Sequence, residues 1–262
     1  MEVLTLLGKT FLLRPYVFLF LAAALLTARS LLGLKRTAIF FLIAWGVAFV
    51  CEYSSTRTGI PFGWYFYTGS TRGEELYISN VPFMDSLSFS FLLFCSYCLA
   101  LLFMSPTRGP GLNGLQTDDP ALRRSKTLLA LTVVFFVLLD VVIDPVALRG
   151  DRWFLGKIYY YPEPGVHFGV PIANYIGWGV VGFVAVGLYR FVEGRLPAEP
   201  QADGSPALLI GCALYYAVLV FNLAVTFWIG EPLIGTTGVL MYLPITALVL
   251  VKLAGRLPPD VR

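Results

Sequence analysis

Seven apolar stretches, each long enough to cross a bilayer, leave this 262-residue chain little choice but a bundle of membrane helices. A span needs about 20 mainly apolar residues. Lipid offers no partner to backbone N–H and C=O groups, so each stretch must satisfy its own hydrogen bonds as a helix. The stretches run from Phe11 to Leu32, Thr37 to Tyr53, Pro82 to Ser105, Thr127 to Leu148, Pro171 to Phe191, Ala207 to Ile229 and Thr236 to Leu253. The composition agrees: 13% of residues are charged, against about 25% in soluble domains. The fold expected is all-α, a polytopic membrane helical bundle, with residues 1–262 forming a single integral membrane domain. The first apolar run is too long for a signal peptide's core and lacks a small-residue cleavage site, so it is expected to stay as a span. Pro145 is expected to kink or end the fourth helix.

With seven spans the termini lie on opposite sides of the cell membrane. One side collects Lys35 and Arg36, Arg108, Arg123, Arg124 and Lys126, Arg190 and Arg195, and Lys252, Arg256 and Arg262. The other holds Lys9, Arg14, Arg57, Arg72, Arg149, Arg152 and Lys157. The positive-inside rule makes the first side cytoplasmic, with the N-terminus outside and the C-terminus inside. The cytoplasmic stretches SPTRGPGLNGLQTDDP and LPAEPQADGSP are rich in Pro, Gly and acidic residues, as solvated linkers are. The small net charge of +3 gives no sign of a nucleic-acid partner.

The two long loops on the non-cytoplasmic side differ in character: they are aromatic and turn-rich, with Trp64, Tyr65, Tyr67, Trp153 and the run Tyr159, Tyr160, Tyr161. Aromatic side chains favour membrane interfaces, which explains part of this enrichment. The helix ends beneath those loops carry nearly all the polar residues within the spans: Glu52, Asp85, Asp140, Asp144, Asn174, Asn222 and Thr226. Asp140 and Asp144 are four residues apart and so share a helix face. Each residue alone could simply hydrogen-bond between helices. Five helices bringing polar groups to one level point instead to an enclosed site, because ionisable groups at membrane depth are costly and face cavities, pathways or partners. The apolar surroundings suggest a lipophilic substrate.

Several chemistries are excluded. A di-iron or bis-His haem site needs more histidines than the lone His167. No Walker A, dinucleotide-binding or nucleophile-elbow motif is present. The DVVID segment has the DxxxD spacing of prenyl-transferring enzymes but occurs once, without a second acidic cluster. Cys51, Cys95, Cys98 and Cys212 lie in or beside apolar runs and read as small apolar fillers. Glu74–Glu75 and Asp118–Asp119 sit in polar loops and read as solvated. No metal and no cofactor is expected.

What remains is protonation of a carbon–carbon double bond by a carboxylic acid, giving a tertiary carbocation. Desolvation disfavours the charged form of a carboxyl, aromatic faces attract cations, and a neighbouring carboxylate can take a proton from incoming water. Asp140 or Asp144 is the expected donor, with Glu52 as its partner. Asp85 and Asn174 would orient water or the acids. Trp64, Tyr65, Phe83 and Trp178 would line the cation site, with Asn222 among the substrate-binding groups. Asp140→Asn should remove most activity while leaving the protein in the membrane, and a fully active Asp140→Asn and Asp144→Asn pair would refute the assignment.

The segments GIPFGWYFYTG, VPF and LLDVVIDPVALRGDRWFLGKIYYYPEPGVHFGVPIANYIGW resemble the integral-membrane carotenoid biosynthesis proteins, the group of the carotenoid 1,2-hydratases and bisanhydrobacterioruberin hydratases. The resemblance covers roughly residues 40–190 and extends more loosely beyond. It implies a hydro-lyase that adds water, without a cofactor, to the terminal double bond of an acyclic carotenoid drawn from the bilayer. Other carotenoid biosynthesis enzymes and membrane lipids are then the natural partners. A more distant similarity to the small membrane lycopene cyclases keeps cyclisation by the same proton donor open. A non-catalytic scaffold or lipid-binding protein is the third reading. It requires the buried acids to be consumed in ion pairs, for example with Arg149 or Arg152.

Overall fold

The computed structural model describes residues 2–106, 115, 119–197 and 205–254. A 12-residue helix α1 (Glu2–Leu13) precedes α2 (Pro15–Leu32) and α3 (Leu34–Thr58). After two short strands, β1 (Phe66–Tyr67) and β2 (Tyr77–Ile78), a third, β3 (Val81–Pro82), leads into α4 (Phe83–Met104). The single turn α5 (Pro120–Arg123) precedes α6 (Lys126–Ala147). Strand β4 (Tyr159–Tyr160), α7 (Ile172–Glu193), α8 (Ser205–Trp228) and α9 (Pro232–Leu253) complete the order. Seven helices, α2–α4 and α6–α9, are long and apolar enough to cross a membrane, as the sequence implied. Most of the two linker stretches and the end of the C-terminal tail, with Arg108, Asp118, Arg256 and Arg262, lie outside the described residues.

Helix α4 is the axis of the bundle: 78% of its most apolar stretch is buried, against 28–44% for the other six. It packs against α2, α3, α6 and α8, while α7 sits on α3 and α6, and α9 closes the far side against α6 and α8. The pattern follows the side chains. Helix α4 is apolar almost all round and contributes sixteen buried residues, from Met84 to Leu102, as a helix surrounded by others must be. The cysteines are free, and Cys95, Cys98 and Cys212 are buried. Cys98 faces Gly211 so closely that a Cβ at position 211 would collide with its sulfur.

The first span starts later than the sequence suggests. Residues Phe11–Leu13 belong to α1, and the chain breaks at Arg14 before Pro15 opens α2. Proline at the first helical position has no N–H to lose. Arg14 is fully buried, donating to the Leu155 carbonyl at 2.5 Å and pairing with Glu75 at 3.4 Å. Glu75 is therefore not solvated as expected. It is 1% exposed, because the chain folds it back onto Arg14, and Thr71 also donates to it. Helix α6 continues past Pro145 to Ala147, ending within one turn of the proline.

The two aromatic loops clasp each other. Strand β1 pairs antiparallel with β4, Phe66 opposite Tyr160 and Tyr67 opposite Tyr159. Thr68 extends the ladder through its N–H to the Ile158 carbonyl at 2.9 Å. Successive side chains on a strand point to opposite faces. Phe66 and Tyr160 thus turn outward, their rings 6.0 Å apart, while Tyr65, Tyr67, Tyr159 and Tyr161 turn in over the helix ends.

Candidate active site

Beneath this clasp four carboxyl groups from three helices converge: Glu52, Asp140 and Asp144 are buried and Asp85 is half-buried. Tyr67 bridges two of them, its hydroxyl 2.7 Å from Asp85 Oδ2 and 3.1 Å from Glu52 Oε1. Ser86, one residue on from Asp85 in α4, donates to the other oxygen of Glu52. On the opposite side Asp144 accepts three hydrogen bonds: from Tyr159 at 2.5 Å, Tyr161 at 2.7 Å and the Asn174 amide at 2.9 Å. Asn174 also donates to Asp140 Oδ2 at 2.6 Å, so one amide group ties together the two aspartates that share a face of α6. The other oxygen of Asp140, Oδ1, is buried with no hydrogen-bond partner.

Burial, with the neighbouring acids, pushes the Tyr67, Tyr159 and Tyr161 hydroxyls well above the ordinary tyrosine range. They are held as neutral donors. Among the described residues none of the four acids forms an ion pair with Lys or Arg. Arg149 and Arg152 instead share Glu231, Arg149 at 3.0 Å. The ion pairing that the scaffold reading requires is thus spent on a loop acid. No three His, Cys, Asp or Glu side chains among the described residues form a metal-ligand group.

Two cavities meet at these acids. The first, about 50 Å³, is lined by Glu52, Asp85, Asp144, Asn174 and the tyrosines 65, 67, 159 and 161, with Phe62, Phe89 and Trp178. The second, about 120 Å³, is largely apolar and lies between α2, α4, α6 and α8, with Met84, Leu92, Ile143, Val218 and Phe221 in its walls. Asp85, Phe89, Asp144, Tyr159 and Trp178 line both. Phe89 and Trp178 stack at 4.2 Å at the junction where polar and apolar space meet. Gly177 lets α7 approach the Phe62 backbone, since any Cβ there would enter the Phe62 ring.

The structure brings together Glu52, Asp85, Asp144, Asn174, Tyr65 and Trp178 and places Asn222 in the apolar cavity, where its amide donates back to the Val218 carbonyl. Asp140 lies behind Asn174 and lines neither cavity. Trp64 and Phe83 do not join the acids. Trp64 is 51% exposed on an outer groove with Phe66, two residues on in the chain and turned to the same outward side. Phe83 turns to Trp45 of α3, 5.9 Å away. Sequence reasoning passed over the roles of Tyr67, Tyr159, Tyr161, Ser86 and Phe89. The signal for the tyrosines was present in the i, i+2 spacing of both Tyr65/Tyr67 and Tyr159/Tyr161. Tyr215 belongs to helix packing, with its hydroxyl on the Phe135 carbonyl and on Tyr242, both at 2.8 Å.

Fold and site together define a polytopic membrane protein with a buried acid cluster opening onto apolar space. A family model for carotenoid biosynthesis proteins matches residues 12–244, and the chain belongs to that family. A bisanhydrobacterioruberin hydratase of Haloarcula japonica is 31% identical over 158 residues. That match covers 60% of this chain and 46% of the relative, so the chain spans about half the length of the curated protein it matches. No solved structure matches the chain significantly.

Proposed function

We propose that the protein is a cofactor-free hydro-lyase that adds water to the terminal double bond of an acyclic carotenoid end, giving a tertiary alcohol. The observation that carries this reading is the meeting of a small polar cavity and an apolar one at Asp85 and Asp144, with no Lys or Arg among the described residues ion-paired to either acid. A water needs roughly 10–15 Å³ of such space, so the polar cavity has room for a few. The apolar cavity takes the alkene. The hydratase name of the Haloarcula relative supports the reaction type.

Proton inventory divides the roles. Asp144 has both oxygens occupied by three donors and serves as the base. Asp85 receives a single hydrogen bond, on Oδ2, and its other oxygen is free to carry a proton into the apolar cavity. The donor role thus falls to Asp85, with Asp140 positioning Asn174 from behind. Asp85 delivers its proton to the less substituted alkene carbon, and the cation forms on the tertiary carbon beside the Phe89 and Trp178 faces. Water adds to that carbon while Asp144 takes its second proton. Glu52 reloads Asp85 through the Tyr67 hydroxyl, and the proton on Asp144 returns through the cavity water, so one water is consumed and the acids are regenerated. Cyclisation needs a folded end of about two isoprenoid units in a dry site, more than the apolar cavity holds and next to a polar one. The distribution of Lys and Arg favours an N-terminus outside, which supports a site near the non-cytoplasmic interface.

The test is expression in a cell that makes lycopene, with the pigments weighed by mass spectrometry. A product heavier by one water is expected from the wild type. Asp85→Asn and Asp144→Asn should each lower its yield by about 10²–10⁴-fold while the protein stays in the membrane. Full activity in either variant sinks the assignment, and an isomer of unchanged mass supports the cyclase.

A further inference from the structure

The apolar cavity is too small for its proposed substrate. A cavity of roughly 150 Å³ lined by aliphatic and aromatic side chains holds one benzene, so about 120 Å³ holds about one five-carbon isoprenoid unit. The rest of a long linear chain must leave through a wall. Trp153, Leu155, Ile158 and Tyr159 roof the cavity as part of the loop that the clasp holds down, and three sides are helix against helix: α4 is central, α6 is backed by α7 and α9, and α8 is flanked by α9. The fourth is the seam where α2 meets α8, closed by side chains rather than by another helix.

That seam is aromatic. Tyr16 and Phe20 of α2 and Phe221 of α8 line the cavity and are each only partly buried. Their rings close on one another, Tyr16 to Phe221 at 5.4 Å and Phe20 to Phe221 at 6.1 Å. The helix faces beside them are apolar and open, Leu19 being 70% and Val220 60% exposed, as expected of a surface that meets lipid tails. Ring contacts give way by rotamer change, whereas parting the backbones of packed helices disturbs a close-packed interior.

We propose that the seam of Tyr16, Phe20 and Phe221 is a lateral passage through which the end unit of a long linear isoprenoid reaches the acids while the rest of the chain stays in the bilayer. This rests on the hydratase reading for the identity of the substrate, and the test separates the two. p-Benzoylphenylalanine is placed at position 20 or 221, in a lycopene-producing cell, and at positions 183 and 243 as controls. Phe183 and Leu243 are similarly apolar and exposed, on α7 and α9. After irradiation the intact protein is weighed. The expected result is a mass shift of one carotenoid at 20 and 221 and none at 183 or 243. Equal labelling at all four positions, or none at 20 and 221, overturns the passage. A seam adduct without any hydrated pigment from the wild type would sink the hydratase reading and leave the passage standing.

Discussion

Removing one oxygen from Tyr67 is the sharpest probe of the acid half of the site. Tyr67→Phe keeps the ring against Tyr65, 5.4 Å away, and deletes the one hydroxyl among the described residues that reaches both Glu52 and Asp85. The hydroxyl has one proton, so it satisfies one carboxyl at a time, and its loss leaves a single buried acceptor wanting, at a cost of about 1–3 kcal/mol in stability. The catalytic cost is set separately. If Tyr67 passes the proton from Glu52 to Asp85, turnover falls by about 10²–10⁴-fold, roughly 2.7–5.4 kcal/mol at 1.36 kcal/mol per decade. Tyr65→Phe is the internal control. Tyr65 is two residues away and buried, and among the described residues its hydroxyl meets only Tyr67, at 3.4 Å, long for an O–H···O bond. It should lose a few-fold at most. The assay is product formed per unit of purified protein in detergent or vesicles, with thermal unfolding measured alongside. In a double-mutant cycle, Tyr67→Phe on top of Asp85→Asn should add almost nothing, since the two act as one unit. Equal effects of Tyr67→Phe and Tyr65→Phe, or additive losses in the cycle, would refute the relay.

Two further outcomes follow from packing and from the tyrosines. Gly177→Ala drives a methyl into the Phe62 ring and should destabilise by about 1–3 kcal/mol, read as a lower unfolding midpoint of the detergent-solubilised protein. Tyr67, Tyr159 and Tyr161 titrate near 10 when unfolded and well above that when folded, because burial disfavours tyrosinate. Above about pH 10 the unfolded chain therefore holds fewer protons than the native one, so stability should fall as pH rises there and show no dependence on these groups below it. A flat unfolding midpoint across that boundary would contradict their burial.

Much of the architecture was legible because lipid imposes a crude rule, apolar length, and the chain obeys it. The focus of polar helix ends was legible too, since Glu52, Asp85, Asp144 and Asn174 sit at matching ends of successive spans. The clasp was not. A two-residue strand pairing between loops some ninety residues apart has no periodicity to betray it, and the tyrosines read as interfacial aromatics. Inward and outward parity, which separates Tyr65 from Trp64, is fixed only once Tyr67 pairs with Tyr159. Glu75 looked like a loop charge because its partner, Arg14, lies sixty-one residues away. Asp140 looked equivalent to Asp144 because helix spacing says they share a face but cannot say that Asn174 stands in front of one and that a cavity opens beside the other.

If the acids at the junction of the two cavities add water to a carbon–carbon double bond, the oxygen of the product alcohol comes from solvent. The most direct measurement is turnover of a linear carotenoid by the purified protein in water labelled with heavy oxygen, followed by mass spectrometry of the product. One heavy oxygen is expected in each product molecule from the wild type, with almost no product formed by Asp144→Asn. An unlabelled isomer, or equal labelling by both proteins, would contradict hydration by these acids.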